Sequence, residues 1–213
     1  MVMEPQLNED EFRILNYLDI FKTATGVNPI GISTGLKADK LMSVIGKLVE
    51  KGYAVRDSSQ GQATWKITAL GESTIVSHRR SLVAQSGQEE MFNRECEEFD
   101  NLNVRFKDLV TRWQVKVVFG TQTVNDHRDP DYDFTVLDHI FSLHEKVKRT
   151  LAEMDGALPA CNFQNYALRL DQAVEKIKQG DADYLVRNGA SYHNVWFEMH
   201  ESILKLWGRE RIE

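Results

Sequence analysis

Three histidines in the second half of the sequence lie among aromatic residues at helical spacing. His193, Trp196 and His200 follow one another at intervals of three and four residues, and His144 comes three residues after Phe141. An imidazole at the seam between helices needs a partner for each ring nitrogen. Such histidines could bind a metal ion or a small anionic or aromatic effector, or they could be structural residues that hydrogen-bond to neighbouring carboxylates.

The spacing of the metal-binding residue types does not favour a metal site. The sequence contains neither the Glu-x-x-His pairs of di-iron bundles nor a His-x-x-x-His pair, and Cys96 and Cys161 lack CxxC spacing. We therefore expect no metal and no cofactor, and we interpret both cysteines as packing residues. The candidate ligand pocket consists of polar and aromatic residues from the predicted C-terminal helices: Asn103, Trp113, His144, Arg169, His193, Trp196 and His200.

The absence of catalytic motifs argues against an enzyme. The sequence has no Gly-rich phosphate loop and no Gly-x-Ser-x-Gly nucleophile turn. Acid–base chemistry by His193, His200 and Glu201 is conceivable from residue type alone, but no nucleophile accompanies them at a typical spacing. We expect a binding protein.

Four amphipathic segments must position the histidines. Apolar residues at intervals of three and four predict one long helix from about Glu89 to Val118, followed by a loop from Gly120 to Pro130. Three further helices are marked by apolar residues at the same intervals, namely Phe134, Leu137, Phe141, Val147 and Leu151, then Tyr166, Leu170, Val174 and Ile177, and finally Trp196, Phe197, Ile203, Leu204 and Trp207. This pattern predicts a four-helix bundle-like domain over residues 85–213, with His144, His193 and His200 pointing inward.

The first third of the chain carries a second set of candidate residues, suited to contacts with DNA. In a predicted helix from about Ala38 to Lys51, the apolar residues form an inner face, while Lys40, Ser43 and Lys47 share the outer face. Lysine makes salt-sensitive contacts to phosphate, and a serine hydroxyl can contact a base edge. Such a face is suited to the major groove, although it is also typical of a solvated helix surface.

The elements around this helix predict a small α/β domain. Asn8 and Glu11 form a capping box that begins a helix ending near Phe21, and Pro29 begins a short second helix. After the third helix, two short alternating runs, Tyr53–Arg56 and Thr64–Ile67, flank a polar turn, and another helix begins near Thr68. We therefore predict a mainly α protein whose residues 1–84 form a winged helix-turn-helix with a small β-wing.

The distribution of charge supports this division. The formal net charge is −6, yet residues 1–80 contain 10 Lys and Arg against 9 Asp and Glu, whereas residues 81–213 contain 16 against 23. The acidity belongs to the C-terminal part, which leaves the N-terminal part able to approach DNA. No apolar run approaches the roughly 20 residues of a membrane span, so we expect a cytoplasmic protein with no membrane partner.

Two segments resemble the MarR-type winged-helix regulators, over about a third of the chain. Residues 48–56, Leu-Val-Glu-Lys-Gly-Tyr-Ala-Val-Arg, look like the end of that family's recognition helix and its first wing strand. Residues 67–71, Ile-Thr-Ala-Leu-Gly, look like its step into the helix after the wing. By position, the resemblance assigns recognition-helix roles to Lys37, Lys40, Ser43 and Lys47, and wing roles to Arg56, Gln60 and Lys66.

The resemblance implies a transcriptional regulator that binds double-stranded DNA. We expect a homodimer on a palindromic operator, with the C-terminal helices providing the dimer interface or sensing a small-molecule effector. The alternative is an adaptor that does not bind DNA, in which the winged helix docks to a protein and the acidic helices bind a partner or a small ligand.

Overall fold

The architecture is mainly helical, with two small antiparallel sheets. It is seen in a computed structural model that describes residues 7–58 and 62–210. Buried apolar residues from Leu7 to Leu206 form one continuous core. This core extends across the predicted boundary between residues 84 and 85, so the two predicted domains share buried contacts.

The N-terminal elements alternate short helices with a three-stranded sheet. Their bounds are α1 Glu9–Phe21, β1 Thr23–Thr25, α2 Asn28–Thr34, α3 Ala38–Glu50, β2 Ala54–Asp57, β3 Thr64–Ile67 and α4 Ala69–Ser86. The sheet has the order β1-β3-β2, with Ala24 opposite Trp65 and Val55 opposite Lys66. Strand β1 was not predicted, because three residues are too few to show an alternating pattern.

The capping box predicted at the start of α1 is confirmed. The Asn8 side chain accepts a hydrogen bond from the Glu11 backbone N–H at 3.0 Å, and the Glu11 carboxylate accepts one from the Asn8 backbone N–H at 3.2 Å. Glu11 also pairs with Lys51 beyond the end of α3, with Nζ and Oε1 2.6 Å apart. The Glu11 carboxylate thus accepts a backbone N–H at the start of α1 and, through Lys51, also holds the end of α3 beside that helix.

Close backbone packing explains the glycine after β3. The Thr68 hydroxyl donates to Gly52 O at 2.7 Å and accepts from Gly71 N at 3.0 Å, which begins α4 beside the turn that follows α3. A Cβ on Gly71 would lie 2.2 Å from Tyr53 O. Only glycine fits at this crossing without displacing backbone.

The C-terminal part consists of long helices and one hairpin. The bounds are α5 Glu89–Gln114, β4 Val115–Val118, β5 Thr121–Val124, α6 Pro130–Ala157, α7 Phe163–Lys178, α8 Asp183–Val186 and α9 Tyr192–Trp207, with a 3-10 turn at Pro159–Cys161. Helix α5 packs on α6, α6 on α7, α7 on α9, and α9 on α5. Among the elements of residues 7–58 and 62–210, no helix is long and apolar enough to cross a membrane.

Two predictions about α5 and α6 are wrong. The long helix ends at Gln114, and the expected helix end and loop instead form the hairpin of β4 and β5. Valines are β-branched and favour extended backbone, and Phe119 and Gly120, with φ of 50° and 80°, form the tight turn. Phe134, predicted to face the seam, is exposed, because the buried face of α6 is formed instead by Val136, Ile140, Leu143 and Val147.

A buried polar network joins the N-terminal helices to α9. The Arg79 guanidinium on α4 donates to Asp19 Oδ2 at 2.7 Å and to Asn16 Oδ1 at 2.7 Å, both on α1. The Asn16 amide donates to Ser202 Oγ at 3.1 Å, and Lys205 Nζ lies 3.1 Å from Asp19 Oδ2. These contacts make the orientation of α1 relative to α9 specific, because a buried polar group that loses its partner is costly.

Candidate functional site

The outer side of α3 has the polar, exposed character that its sequence predicted. Leu41, Val44, Ile45 and Leu48 are buried, whereas Lys37, Lys40, Ser43 and Lys47 are exposed. We call these four exposed residues the α3 face. Lys37 lies at the N-cap, and the other three are one turn apart along the helix.

Part of the positive charge near the α3 face is neutralised. Lys40 Nζ lies 2.7 Å from Asp10 Oδ2 on α1, and Lys66 Nζ lies 3.3 Å from Asp57 Oδ2 across the hairpin. The Arg56 guanidinium lies over the Trp65 ring at 5.5 Å. Within the part of the chain that the structure describes, Lys37 and Lys47 form no ion pair. Gln60, at the predicted tip of the wing, lies outside the described residues.

Four of the predicted pocket residues line one small cavity between α5 and α9. Asn103, His193, Trp196 and His200 border a space of about 220 Å³. The Trp196 indole N–H donates to Asn103 Oδ1 at 2.9 Å, and the Trp196 ring stacks on Phe106 with centroids 4.2 Å apart. His193 is exposed, however, so the prediction that it points inward is wrong: it lies on the solvent side of α9, beside the buried stripe of Val195, Trp196 and Met199.

The other predicted pocket residues lie elsewhere. His144 is buried and hydrogen-bonds through Nε2 to Asp171 at 2.9 Å and through Nδ1 to the Tyr192 hydroxyl at 3.3 Å. Burial lowers the pKa of His144, although its hydrogen bond to the Asp171 carboxylate acts in the opposite direction. Trp113 packs on the His127 ring at 4.5 Å. His144 and Trp113 therefore contact partners within the fold, and neither lines the cavity between α5 and α9.

The predicted cluster also does not assemble into a metal site. No group of three or more His, Cys, Asp or Glu side chains converges to hold a metal ion within residues 7–58 and 62–210.

A larger cavity, which was not predicted, is lined by residues of α1, α2, α7, α8 and α9. Its volume is about 670 Å³, and we call it the α2–α9 cavity. Apolar and aromatic side chains form much of its wall, and a buried ion pair lies on one side; its lining includes Tyr17, Phe21, Ile32, Phe197, Arg169 and Glu198. Arg169 was expected to border the same interior as Asn103, but the two residues line different cavities.

The ion pair in this cavity is bidentate and largely shielded from water. The two terminal nitrogens of Arg169 donate to the two oxygens of Glu198 at 2.9 and 2.7 Å, and the two side chains are 14% and 5% exposed. Burial, and to a lesser extent the Glu198 charge, raises the pKa of Tyr17 to about 12. The Tyr17 hydroxyl is therefore a neutral donor in the physiological pH range.

Three side chains, Glu198 on α9, Asn165 on α7 and Asn162 just before α7, hold α2 in place. The Ser33 hydroxyl donates to Glu198 Oε1. The Asn165 side-chain amide donates to Ser33 O at 2.6 Å, and that of Asn162 donates to Thr34 O at 3.3 Å. The last carbonyls of a helix have no partner within the helix, so these amides act as its cap. We call this set of contacts the α2 clamp.

The sequence signals for the α2–α9 cavity are weak. Tyr17 and Phe197 are 180 positions apart in the chain, and each belongs to a helix whose apolar pattern is explained by packing. Arg169 is one of the predicted pocket residues, whereas its partner Glu198 is not. The pairing depends on how α7 and α9 pack together.

Comparisons of the chain with protein-family models, with curated proteins and with solved structures find no match. The chain's own residues and their geometry are therefore the basis for assigning a function.

Proposed function

We propose that this protein is a DNA-binding transcriptional regulator of the cytoplasm, with α1 to α4 as a winged helix-turn-helix. The observation that carries the proposal is the position of the α3 face. A polar helix surface follows a short helix, and a β-hairpin comes directly after it. In helix-turn-helix proteins this arrangement brings the second helix to the major groove and the hairpin to the adjacent backbone.

In this proposal the lysines and the serine of the α3 face contact different parts of the DNA. Lys37 and Lys47 contact phosphates, and Ser43, which lies between them, contacts base edges. Arg56 and Lys66 on the hairpin strands contact the neighbouring backbone, and the sequence prediction adds Gln60, which lies outside the described residues. Because Lys40 and Lys66 are paired with carboxylates, the face has only a moderate positive potential.

The C-terminal helices supply the other functions of a regulator. In this proposal α5, α6, α7 and α9 form a four-helix bundle that makes a homodimer or senses a small effector. Two-fold symmetry of the dimer would require an operator with two related half-sites about one helical turn apart.

The test is a fluorescence-anisotropy titration of the purified full-length protein. The duplexes are DNA from around its own gene and a scrambled sequence, at low and moderate salt. We expect selective binding, and we expect Lys47→Ala to lower the slope of log affinity against log salt by about 1. Lys107→Ala, an exposed lysine on α5, is the matched control. Equal affinity for both duplexes, or equal slopes for the two variants, would remove the basis for DNA recognition.

A second candidate function is favoured by exposed apolar residues on α2 and α3. Ile32 on α2 and Met42 on α3 are 62% and 45% exposed, and the nearby lysines are partly neutralised. In this case the N-terminal elements dock to a protein and the acidic helices bind a further partner or ligand, so the molecule is an adaptor. The adaptor predicts no salt-dependent DNA affinity, and Met42→Ser should then weaken capture of its protein partner.

A further inference from the structure

We propose that His127 and Asp133 form a reactive dyad, in which His127 Nε2 accepts an acyl group from a neutral activated ester and passes it to water. This activity goes beyond DNA binding and does not depend on it. The dyad lies where the β4–β5 hairpin joins α6. His127 Nδ1 is 2.9 Å from Asp133 Oδ2, and the two side chains are 32% and 15% exposed. An imidazole held by a carboxylate is a common reactive unit of hydrolytic sites.

The hydrogen bonds of Asn125 determine which ring nitrogen of His127 is free. Asn125 is buried, and its side-chain amide donates to Asp133 Oδ1 at 2.7 Å and to Trp113 O at 3.1 Å. Both amide N–H groups are then used and a carboxylate only accepts, so His127 Nδ1 carries the proton that it shares with Asp133. In the neutral imidazole the reactive lone pair is therefore on Nε2, which forms no hydrogen bond with any described residue.

The backbone holds His127 in a conformation that favours glycine. Its φ is 55°, and a residue of this type keeps such a value only where the surrounding contacts fix it, as is frequent at functional sites. Lys116 Nζ on β4 lies 2.8 Å from Asp126 Oδ1. The Asn125 backbone N–H donates to Gln114 O at 2.8 Å. These contacts tie the loop to the hairpin and to the end of α5, so the dyad is positioned before any substrate binds.

The charges around the dyad favour a neutral substrate over an anionic one. Residues 125–133 contain four carboxylates and one cation, Arg128, which give a net charge of −3 with His127 neutral. This segment repels a dianionic phosphoryl donor. Val124 and Phe134, which flank it in the chain, are 80% and 68% exposed. Their apolar surface is available to the organic groups of an ester.

Atoms and charge balance in a two-step transfer. The Nε2 lone pair attacks the carbonyl carbon of the ester, and the bond from that carbon to the leaving oxygen breaks, so the alcohol or phenol departs as its anion. Nδ1 keeps its proton, and the Asp133 carboxylate offsets the positive charge on the acylated ring. Water then adds its oxygen to the acyl carbon and a proton to Nε2 as the carbon–nitrogen bond breaks. A carboxylic acid leaves, and loss of the Nε2 proton to solvent restores the neutral imidazole.

Hydrolysis of p-nitrophenyl acetate by the full chain, without DNA, tests the role of His127. The protein should release p-nitrophenolate faster than N-acetylhistidine at the same concentration, and His127→Gly should lower kcat/KM by about 100-fold. Glycine suits the positive φ of this position, so the variant keeps the backbone, and added imidazole should restore much of the lost rate. His139→Ala, at another exposed histidine, should leave the rate unchanged. Equal losses in the two variants, no restoration by imidazole, or a wild-type rate no higher than that of N-acetylhistidine would overturn the proposal.

A second pair of variants tests the dyad itself. Asp133 is a positioning residue because it acts through the His127 ring, so Asp133→Asn should lower kcat about tenfold and leave KM unchanged. Asp138→Asn, an exposed carboxylate further along α6, should change neither constant. Equal kcat values for these two variants would overturn the dyad. Release of p-nitrophenolate from p-nitrophenyl phosphate but not from the acetate, if it depended on His127, would overturn the acyl class of substrate.

Discussion

Arg169 and Glu198 form a bidentate ion pair between α7 and α9, with N–O distances of 2.9 and 2.7 Å. Through Glu198 the pair also reaches Ser33 on α2. A buried pair of this kind contributes little net stability over apolar packing, but the loss of one partner leaves an uncompensated charge. The pair therefore contributes mainly to the specificity of the arrangement of α2, α7 and α9, and adds little to overall stability.

The high cost of losing one partner, compared with the small net contribution of the pair, predicts the outcome of a double-mutant cycle. Arg169→Met should lower the free energy of unfolding by about 3 kcal/mol, because Glu198 then loses its two guanidinium donors in a buried position. Adding Glu198→Leu should recover most of that loss. Urea denaturation at pH 7 followed by circular dichroism measures each variant, and Glu153→Leu on the exposed side of α6 is the control for the added leucine. Additive losses in the double variant would contradict a direct interaction.

Asp19 makes stability depend on pH in the acid range. Burial raises its pKa, but hydrogen bonds from Lys22, Arg79 and Lys205 outweigh this effect and lower the pKa to about 2 from 3.8. A carboxylate with a depressed pKa stabilises the folded state above its unfolded pKa, and that contribution is lost as the pH falls from about 4 towards 2. The contribution at neutral pH is about 2 kcal/mol.

The matching experiment compares the wild type with Asp19→Asn between pH 7 and pH 2.5. The difference in free energy of unfolding should be constant above pH 5 and should shrink below pH 4. Asp131→Asn, on the exposed first turn of α6, should show no such trend. A difference that stays constant down to pH 2.5 would exclude the depressed pKa.

Gly71 should be intolerant of any side chain. Gly71→Ala puts a Cβ 2.2 Å from Tyr53 O, and because the obstacle is backbone, α4 must move away from the turn after α3. We expect a loss of about 3 kcal/mol in the free energy of unfolding. Gly156→Ala in α6 has no neighbour within 4 Å of the added Cβ and should instead stabilise the protein by about 0.5–1 kcal/mol. Equal effects of the two changes in urea denaturation would mean that α4 does not pack closely on Tyr53.

Under the proposed function, the Asp10–Lys40 ion pair should lower the affinity for DNA. Asp10→Asn removes a carboxylate 2.7 Å from Lys40 and leaves that lysine available to phosphate. We expect tighter binding and a salt slope steeper by about 1, with stability changed by less than about 1 kcal/mol, because the pair is partly exposed. Asp131→Asn removes an exposed charge on α6, outside the α3 face, and should leave the slope unchanged. Identical slopes for the wild type and Asp10→Asn would show that Lys40 does not reach DNA.

Local patterns in the sequence were enough to predict the individual helices of the N-terminal part. The capping box of Asn8 and Glu11, the two faces of α3 and the strand Thr64–Ile67 depend on neighbours within a few residues, so spacing and residue type determine them. The same reasoning extended α5 through Val118, because helical spacing of apolar residues does not by itself distinguish the end of a helix from the first residues of a valine-rich strand.

The candidate sites depended on tertiary packing. Sequence spacing brought Asn103, Trp196 and His200 together correctly, because one helix pair supplies all three. It did not separate His144 and Arg169 from them, and it did not reveal the α2–α9 cavity, whose walls come from helices at both ends of the chain. The sequence alone determined which residues are polar, charged or aromatic and which helix carries each of them. Only the tertiary structure decided which of them meet, because the contact of α1 and α2 with α7 and α9 is a long-range packing arrangement that no local interaction encodes.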